Sequence, residues 1–517
     1  MQSKNIKNIK NIKNIKNIKN IKNILVAAVL LACSSVGSTL VGQAFAAERP
    51  NIVLIFTDDL GYGDVACFSE CEHRTPNLDR LAKQGTRFTD FYVAQAVCTA
   101  SRAALMTGCY ANRVGLAGAL NHTSPTGINA SELLLPEILK QQGYATGMFG
   151  KWHLGLSPDF SPLVNGFDQW MGIPYSNDNS KFHPVLADSM PPLPWIDTLN
   201  GKEVVVETDA DQGQFTRRLT ERSVAFIEQN KDKPFFLYVP HIMPHVPIFA
   251  SEKFLGTSGL GLYGDVIAEI DWSVGQIADA VDRLGLSDNT LFIFASDNGP
   301  FLSYGSHAGS AGELREGKLT TFEGGVRVPT IMRWPGRIPA GGVCDEPLMT
   351  IDLLPTVCSL TGAALPEHKI DGLDVSSLLF TPDATSPHEA LVFYSGTELH
   401  AIRMGRWKLH CPHKYLTPRD DLRTDGKPAG WGKLEPKSIT ESGVEGIASR
   451  HGYRVEELPL SLFDLSTDRS ELHNVADDHP EVVAKLTEAA NAYRVELGDS
   501  LTGAVGSGLR PIGRVGQ

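Results

Sequence analysis

Cysteine is scarce in this chain, eight in 517 residues, and the spacings do not make the disulfide framework of a small secreted scaffold. Cys67 and Cys71 are close enough to pair, and the pattern leaves that open. Long apolar runs are missing too. The stretch from Ile24 to Ala32 falls well short of the ~18 residues that span a bilayer, which argues against stable membrane insertion of the mature chain. Positive charge is in deficit, with 47 Lys and Arg against 59 Asp and Glu and a net charge of −12. Such a chain is not a nucleic-acid binder. Its overall field cannot draw in an anion either, so any anion site must be assembled locally. What is present is the composition of a soluble globular protein, 42% hydrophobic and 21% charged, long enough for two domains with large cores.

Residues 4 to 23 repeat Lys-Asn-Ile, with a lysine at every third position. This low-complexity run has nothing to bury. The apolar run follows, then small residues ending Ala44-Phe45-Ala46. Basic start, apolar centre and A-x-A site read as a secretory signal peptide over residues 1–46, cleaved after Ala46. Its loss removes seven lysines and no acid, leaves the mature chain at −19, and points to a periplasmic or secreted protein. The alternatives are a retained membrane anchor, against which the serines and glycines that interrupt the apolar run argue, and a lipoprotein cut before Cys33, whose signal Leu31 fits poorly.

Asn51 to Phe56 is a continuous apolar strand of the kind buried in a parallel sheet. Further strands are predicted at Tyr144–Phe149, Pro234–Pro240 and Thr290–Ala295. Helices are predicted at Pro76–Gly85, Glu132–Gln142 and Asp265–Leu284, the last with Ile267, Ile270, Val274, Ile277 and Val281 on one face. The alternation predicts an α/β fold around a mostly parallel sheet, a catalytic domain over 47–384. Beyond about 385 the pattern shifts to short strands at Leu391–Tyr394, Ala401–Met404 and Arg406–His410, then Leu462–Leu465 and a helix over Pro480–Leu497. This predicts a smaller α+β subdomain over 385–517. Residues 411 to 458, rich in Gly, Pro and charge, read as a long irregular loop.

Five blocks carry chemistry. Asp58-Asp59 and Asp297-Asn298 each follow a strand, where open α/β sheets hold their ligands. Their oxygen donors suit Ca²⁺ or Mg²⁺, not zinc. Cys98 opens Cys98-Thr99-Ala100-Ser101-Arg102, and a helix there puts Arg102 on the face of Cys98. Gly150-Lys151-Trp152-His153-Leu154-Gly155 follows a strand. Pro244-His245-Val246-Pro247 sets a histidine in a proline-restrained loop, with His241 a nearby competitor. Gly317-Lys318 begins a long block ending at Arg327. Singly, each has an ordinary explanation: a buried cysteine, a turn or helix cap, a solvated lysine, an incidental histidine.

Together they do not. The Cys98 segment resembles the maturation signature of type I sulfatases. The other blocks follow in that family's order across most of the mature chain, and the set is most similar to the arylsulfatase A and N-acetylgalactosamine-6-sulfatase branch. The resemblance implies an alkaline-phosphatase-like fold with a smaller C-terminal domain. It implies that a maturation enzyme oxidises Cys98 to formylglycine, whose hydrate is the nucleophile. It further implies one calcium ion held by Asp58, Asp59, Asp297 and Asn298, with the modified Cys98 next to it. Arg102 would steady the nucleophile, Lys151 and Lys318 would bind sulfate oxygens, His153 would contact the hydrate and His245 would protonate the leaving oxygen. One hydroxyl of the hydrate attacks sulfur, the alcohol leaves, and the second hydroxyl expels sulfate by re-forming the aldehyde. Position 100 is alanine where many family members carry proline, so the maturing enzyme must accept alanine.

The expected function is thus an exported sulfuric ester hydrolase acting on a sulfated small molecule or glycan. The alternatives are a phosphate or phosphonate monoester hydrolase on the same fold and a non-catalytic binder of sulfated glycans. Substrate choice is expected to lie in residues 172–212, in Ser303–Glu316 with His307, and in the C-terminal loop.

Overall fold

The first strand, β1 (Asn51–Thr57), is buried along its whole length, because both faces of its sheet are covered. The computed structural model describes residues 49–431 and 439–516, so the signal segment expected over 1–46 lies outside the described residues. Ten strands form the main sheet. In chain order they are β1, β2 (Thr86–Phe88), β3 (Ala145–Lys151), β4 (Gln169–Ile173), β5 (Pro194–Leu199), β6 (Lys202–Thr208), β7 (Phe235–Pro240), β8 (Thr290–Ser296), β9 (Thr330–Arg333) and β10 (Gly342–Cys344). Their spatial order is β10-β2-β9-β8-β1-β7-β3-β4-β5-β6. The central run β8-β1-β7-β3-β4 is parallel; the flanking pairs are antiparallel except at one edge, where β10 runs parallel to β2.

The pleat of β1 sorts its side chains into two cores. Ile52, Leu54 and Phe56 join one, with α2 (Cys98–Thr107), α3 (Leu135–Gln141) and α6 (Leu353–Thr361). Val53 and Ile55 join the other, with α1 (Pro76–Gln84), α4 (Phe215–Asn230) and α5 (Gly261–Arg283). Helices on both faces make the strands read as unbroken apolar runs, which is what the sequence shows.

After residue 390 the chain builds an antiparallel sheet of β11 (Leu391–Ser395), β12 (Glu398–Met404), β13 (Trp407–His410) and β16 (Ser461–Asp464), packed by α8 (Pro480–Leu497). Its Leu391, Ile402 and Leu409 belong to the same core as Ala103 and Leu354, and Pro50–Gln517 is one compact unit. The irregular loop expected over 411–458 is corrected by the structure. There β14 (His413–Pro418) pairs with β15 (Tyr453–Leu458) across α7 (Ile439–His451). These strands are half exposed and short, so they carry no apolar alternation for a sequence reading to catch. Among the described residues, the seven cysteines from Cys67 on are free thiols, Cys67 and Cys71 included, and no helix is long and apolar enough to cross a membrane.

Candidate active site

Asp58-Asp59 and Asp297-Asn298 leave neighbouring parallel strands at the same level, since Thr57 of β1 is in register with Ser296 of β8. Asp59 N–H donates to Asp297 Oδ1 at 3.1 Å and Asn298 Nδ2 to Asp59 Oδ1 at 2.7 Å. Asp59 holds φ 66°, and His153 φ 63°. Left-handed backbone at such residues costs of order 1 kcal/mol each and persists where surroundings impose it.

Cys98 is the first residue of α2, whose ten residues are all buried and which stops at left-handed Gly108. The positive end of the helix therefore faces the carboxylates. Cys98 Sγ lies 3.6 Å from Asp58 Oδ1 and 3.2 Å from Lys318 Nζ. Among the described residues, Asp58, Asp59, Cys98 and His245 bring ligand atoms within 4.8 Å of one another. Burial pushes the Cys98 thiol up to about 12 despite Lys151 and Lys318, which leaves little thiolate for direct attack.

Three cations share the site with three carboxylates, all buried. Lys151, at the end of β3, donates to Asp58 Oδ2 and to Ser176 Oγ, at 2.6 and 2.7 Å. Its strand reaches this point because Gly150 crosses Pro240 so closely that a Cβ would sit 1.8 Å from the Pro240 carbonyl oxygen. Lys318 Nζ is 2.6 Å from Asp59 Oδ1. Arg102, one turn after Cys98, pairs with Asp297 Oδ2 at 2.7 Å and Asp58 Oδ2 at 3.3 Å, so its hydrogen bonds brace the carboxylates. Burial works against Asp58 ionising, but Lys151, His245 and Arg102 hold it well below the usual carboxylate range. Burial together with Asp58 raises Asp297 to about 7, a mark of crowded negative charge. Asp59 Oδ2 and Asn298 Oδ1 are buried without a hydrogen bond. Bare oxygens of this kind beside crowded carboxylates fit a hard cation such as calcium.

The two histidines are fixed as opposite tautomers. His153 Nε2 donates to the Leu120 carbonyl at 2.8 Å, which leaves Nδ1 bare and buried. Burial and Lys151 hold its pKa well below the ordinary value, so it stands as a neutral acceptor. His245 Nδ1 donates to the Val246 carbonyl at 2.6 Å, and its Nε2 lies 3.3 Å from Ser176 Oγ and 3.7 Å from Asp59 Oδ2. Burial, then Lys318, lowers its pKa. His241 turns away, with Nε2 3.0 Å from Ser273 Oγ on α5.

A cleft of about 490 Å³ opens over Cys98, His153, His245 and Lys318 and is lined also by Ser176, Asp178, Asn179, Phe301, Arg450 and His451. Sequence reasoning missed Ser176 as a site residue, for a lone serine after a strand gives no spacing signal. Arg450 and His451 fall in the C-terminal loop expected to bear on substrate choice, but were not singled out because α7 was hidden in that supposed loop. Of the 172–212 segment expected to hold substrate choice, Ser176, Asp178 and Asn179 line the cleft. His307 does not line the cleft. It packs beside Gly426.

Buried carboxylates and lysines around a helix-terminal cysteine, at the carboxyl ends of parallel strands, define a hydrolase of anionic esters. The chain belongs to the sulfatase family: residues 50–363 match the sulfatase model and residues 386–502 the C-terminal region of aryl-sulfatase. It is 40% identical to arylsulfatase A of Bos taurus over 470 residues, 86% of this chain and 87% of that one. It is 40% identical to N-acetylgalactosamine-6-sulfatase of Mus musculus over 493 residues, 91% and 90% of the two chains. Among solved structures it resembles the PsFucS1 sulfatase from Pseudoalteromonas sp., with a TM-score of 0.75 and 25% identity over 91% of this chain and 93% of that one. The protein is a sulfuric ester hydrolase with an alkaline-phosphatase-like fold.

Proposed function

We propose that the protein is an exported, calcium-dependent sulfatase that removes sulfate from sulfated glycans by way of a formylglycine made from Cys98. The observation that carries this reading is the placement of Cys98 Sγ within 3.6 Å of Asp58 and 3.2 Å of Lys318, in a site too buried for a useful thiolate. Converted to formylglycine by a maturation enzyme, position 98 supplies a hydrated aldehyde as nucleophile. Calcium held by Asp58, Asp59, Asp297 and Asn298 beside position 98 supplies Lewis acidity toward the sulfate oxygens. Lys151 and Lys318 bind those oxygens, and Ser176, shared by Lys151 and His245, joins them. With calcium added to the three cations the cleft becomes net positive inside an acidic protein, which suits an anionic ester and the charge that shifts onto its oxygens. His153, with Nδ1 bare, takes a proton at that atom. His245 delivers one from Nε2 in its imidazolium form, in which Nδ1 keeps the proton bonded to the Val246 carbonyl and Nε2 carries the second. Arg102 orients Asp58 and Asp297.

The substrate class draws on likeness to N-acetylgalactosamine-6-sulfatase and to the solved structure of Ps i-CgsB in complex with k-i-k-neocarrahexaose, 29% identical over 86% of this chain. Periplasmic or secreted location rests on the 1–46 segment, and the division at 384/385 into catalytic and C-terminal domains rests on the change of strand pattern. The test is threefold: the mass of the peptide around Cys98, calcium content of the purified enzyme, and release of sulfate from a panel of sulfated sugars. An active enzyme with an intact Cys98 thiol overturns the reading.

A further inference from the structure

Lys318 sits on a loop with no regular structure of its own, yet its ammonium must hold a fixed place. Both flanks of that loop are bonded to one residue of the C-terminal sheet region. Glu471 Oε2 accepts the backbone N–H of Glu323 at 2.6 Å. The Glu471 carbonyl accepts Arg315 NH1 at 2.9 Å. Between these two points Gly324 N–H donates to the Arg315 carbonyl at 2.8 Å and closes the loop at its neck. Residues 315 and 323 thus bracket Lys318, and Glu471 spans them. Glu471 is itself fixed: its Oε1 accepts Lys408 Nζ at 3.0 Å and His410 Nε2 at 2.8 Å, both from β13. Its backbone stands at φ 50°, left-handed for a residue with a side chain. The side chains of Glu471, Lys408, His410 and Glu323 are all fully buried.

We propose that Glu471 is a positioning residue for Lys318, so that the C-terminal sheet completes the sulfate-binding half of the active site. The proposal rests on the assignment of Lys318 to sulfate. A buried carboxylate with three bonds to two separate segments is a costly way to stabilise a fold, since an apolar replacement often serves as well. It is an economical way to fix one loop against another.

The test uses the mature full-length enzyme. Glu471→Ala removes the side-chain clamp and leaves Lys408 paired with Glu323. Glu471→Gln keeps an acceptor for Glu323 N–H and is the conservative partner. Three quantities are read at a temperature where each variant is fully folded: the inhibition constant of inorganic sulfate, kcat/KM, and amide exchange across residues 316–322. Glu471→Ala should raise the sulfate constant about fivefold or more, lower kcat/KM about tenfold and speed exchange in that segment, a coupling of about 1–1.4 kcal/mol. Glu471→Gln should recover a good part of each. Arg315→Met, which cuts the other flank, should move the same readouts in the same direction and keeps the test open if Glu471→Ala does not fold. A folded Glu471→Ala enzyme with the wild-type sulfate constant and wild-type exchange overturns the proposal. Wild-type enzyme on which sulfate does not act at all overturns the assignment of Lys318 instead, and the exchange measurement still decides the clamp.

Discussion

Replacing His245 by alanine should separate two kinds of substrate. The ring is buried, and Nδ1 is committed to the Val246 carbonyl at 2.6 Å. Only Nε2, 3.3 Å from Ser176 Oγ, is left to reach the ester. Two contributions disappear with it. A hydrogen bond to a charged sulfate group is worth about 1.5–3 kcal/mol, roughly 10- to 150-fold, and is lost for every sulfate ester alike. Proton transfer to the leaving oxygen is worth about 10²–10⁴-fold, and only a basic leaving group needs it. Nitrophenolate departs readily without a proton, whereas a sugar alkoxide does not. His245→Ala should therefore lower kcat/KM on nitrophenyl sulfate by the first factor alone and on a sulfated sugar by both. The ratio of the two substrates should shift by about 10²–10⁴. Lys318→Met, which acts on the sulfate group common to both, should shift that ratio little. The assay is kcat/KM for both variants on both substrates, under conditions where sulfur–oxygen cleavage limits the rate. Parallel losses in His245→Ala refute the acid role and reduce the residue to sulfate binding.

Other outcomes can be checked with simpler measurements. Protein made without a compatible maturation enzyme should carry an intact Cys98 thiol by peptide mass and be nearly inactive; full activity from such a preparation would sink the mechanism. Asp297→Asn keeps volume and the partner of Arg102 but loses the charge, so calcium content by atomic emission should fall sharply while circular dichroism stays native, and retained stoichiometry counts against the site. Ala100→Pro removes the N–H that donates to the Gly118 carbonyl at 3.1 Å, so it should cost about 1 kcal/mol in urea unfolding while raising conversion of Cys98 by an oxygen-dependent maturing enzyme; equal conversion of both forms refutes the second half. His241→Ala should lower stability by about 1–3 kcal/mol through the lost bond to Ser273, which keeps Thr220 as a partner, and the space left by a buried ring, and leave kcat/KM within about threefold, because the ring points into α5; a large activity loss in folded protein would reopen it as an acid.

The central strands were legible because burial on both faces imposes an unbroken apolar run, as in Asn51–Thr57 and Thr290–Ser296. The amphipathic α5 was read nearly end to end, missing only four residues at its start, where Gly261 and Gly264 give no helix signal. The cysteine, lysine and histidine blocks were legible as a set, and the fold brings all of them to one cleft. What failed to show was whatever depends on the partner and not on the segment. Ser176 matters because Lys151 and His245 both reach it, a fact absent from its neighbours in sequence. Strands β14 and β15 hold together by cross-strand pairing while leaving half their side chains in water, so composition made them look like loop. Arg102 was placed correctly on the Cys98 face, but its choice of Asp58 and Asp297 is set by strands 40 and more residues away.

The register between β1 and β8 has a consequence for how such a site can change over time. The gap between Asp58-Asp59 and Asp297-Asn298, the two pairs proposed to hold calcium, is set by backbone hydrogen bonding between adjacent strands, about 4.8 Å, with Thr57 opposite Ser296. Side-chain chemistry plays no part in that ruler. An Asp can thus be traded for an Asn, or an Asn for an Asp, without moving the frame that presents it. The charge of the cage, and with it the preference for one cation over another, can drift independently of the architecture, while a single slipped residue deep in either strand would dismantle the cage with every ligand still intact.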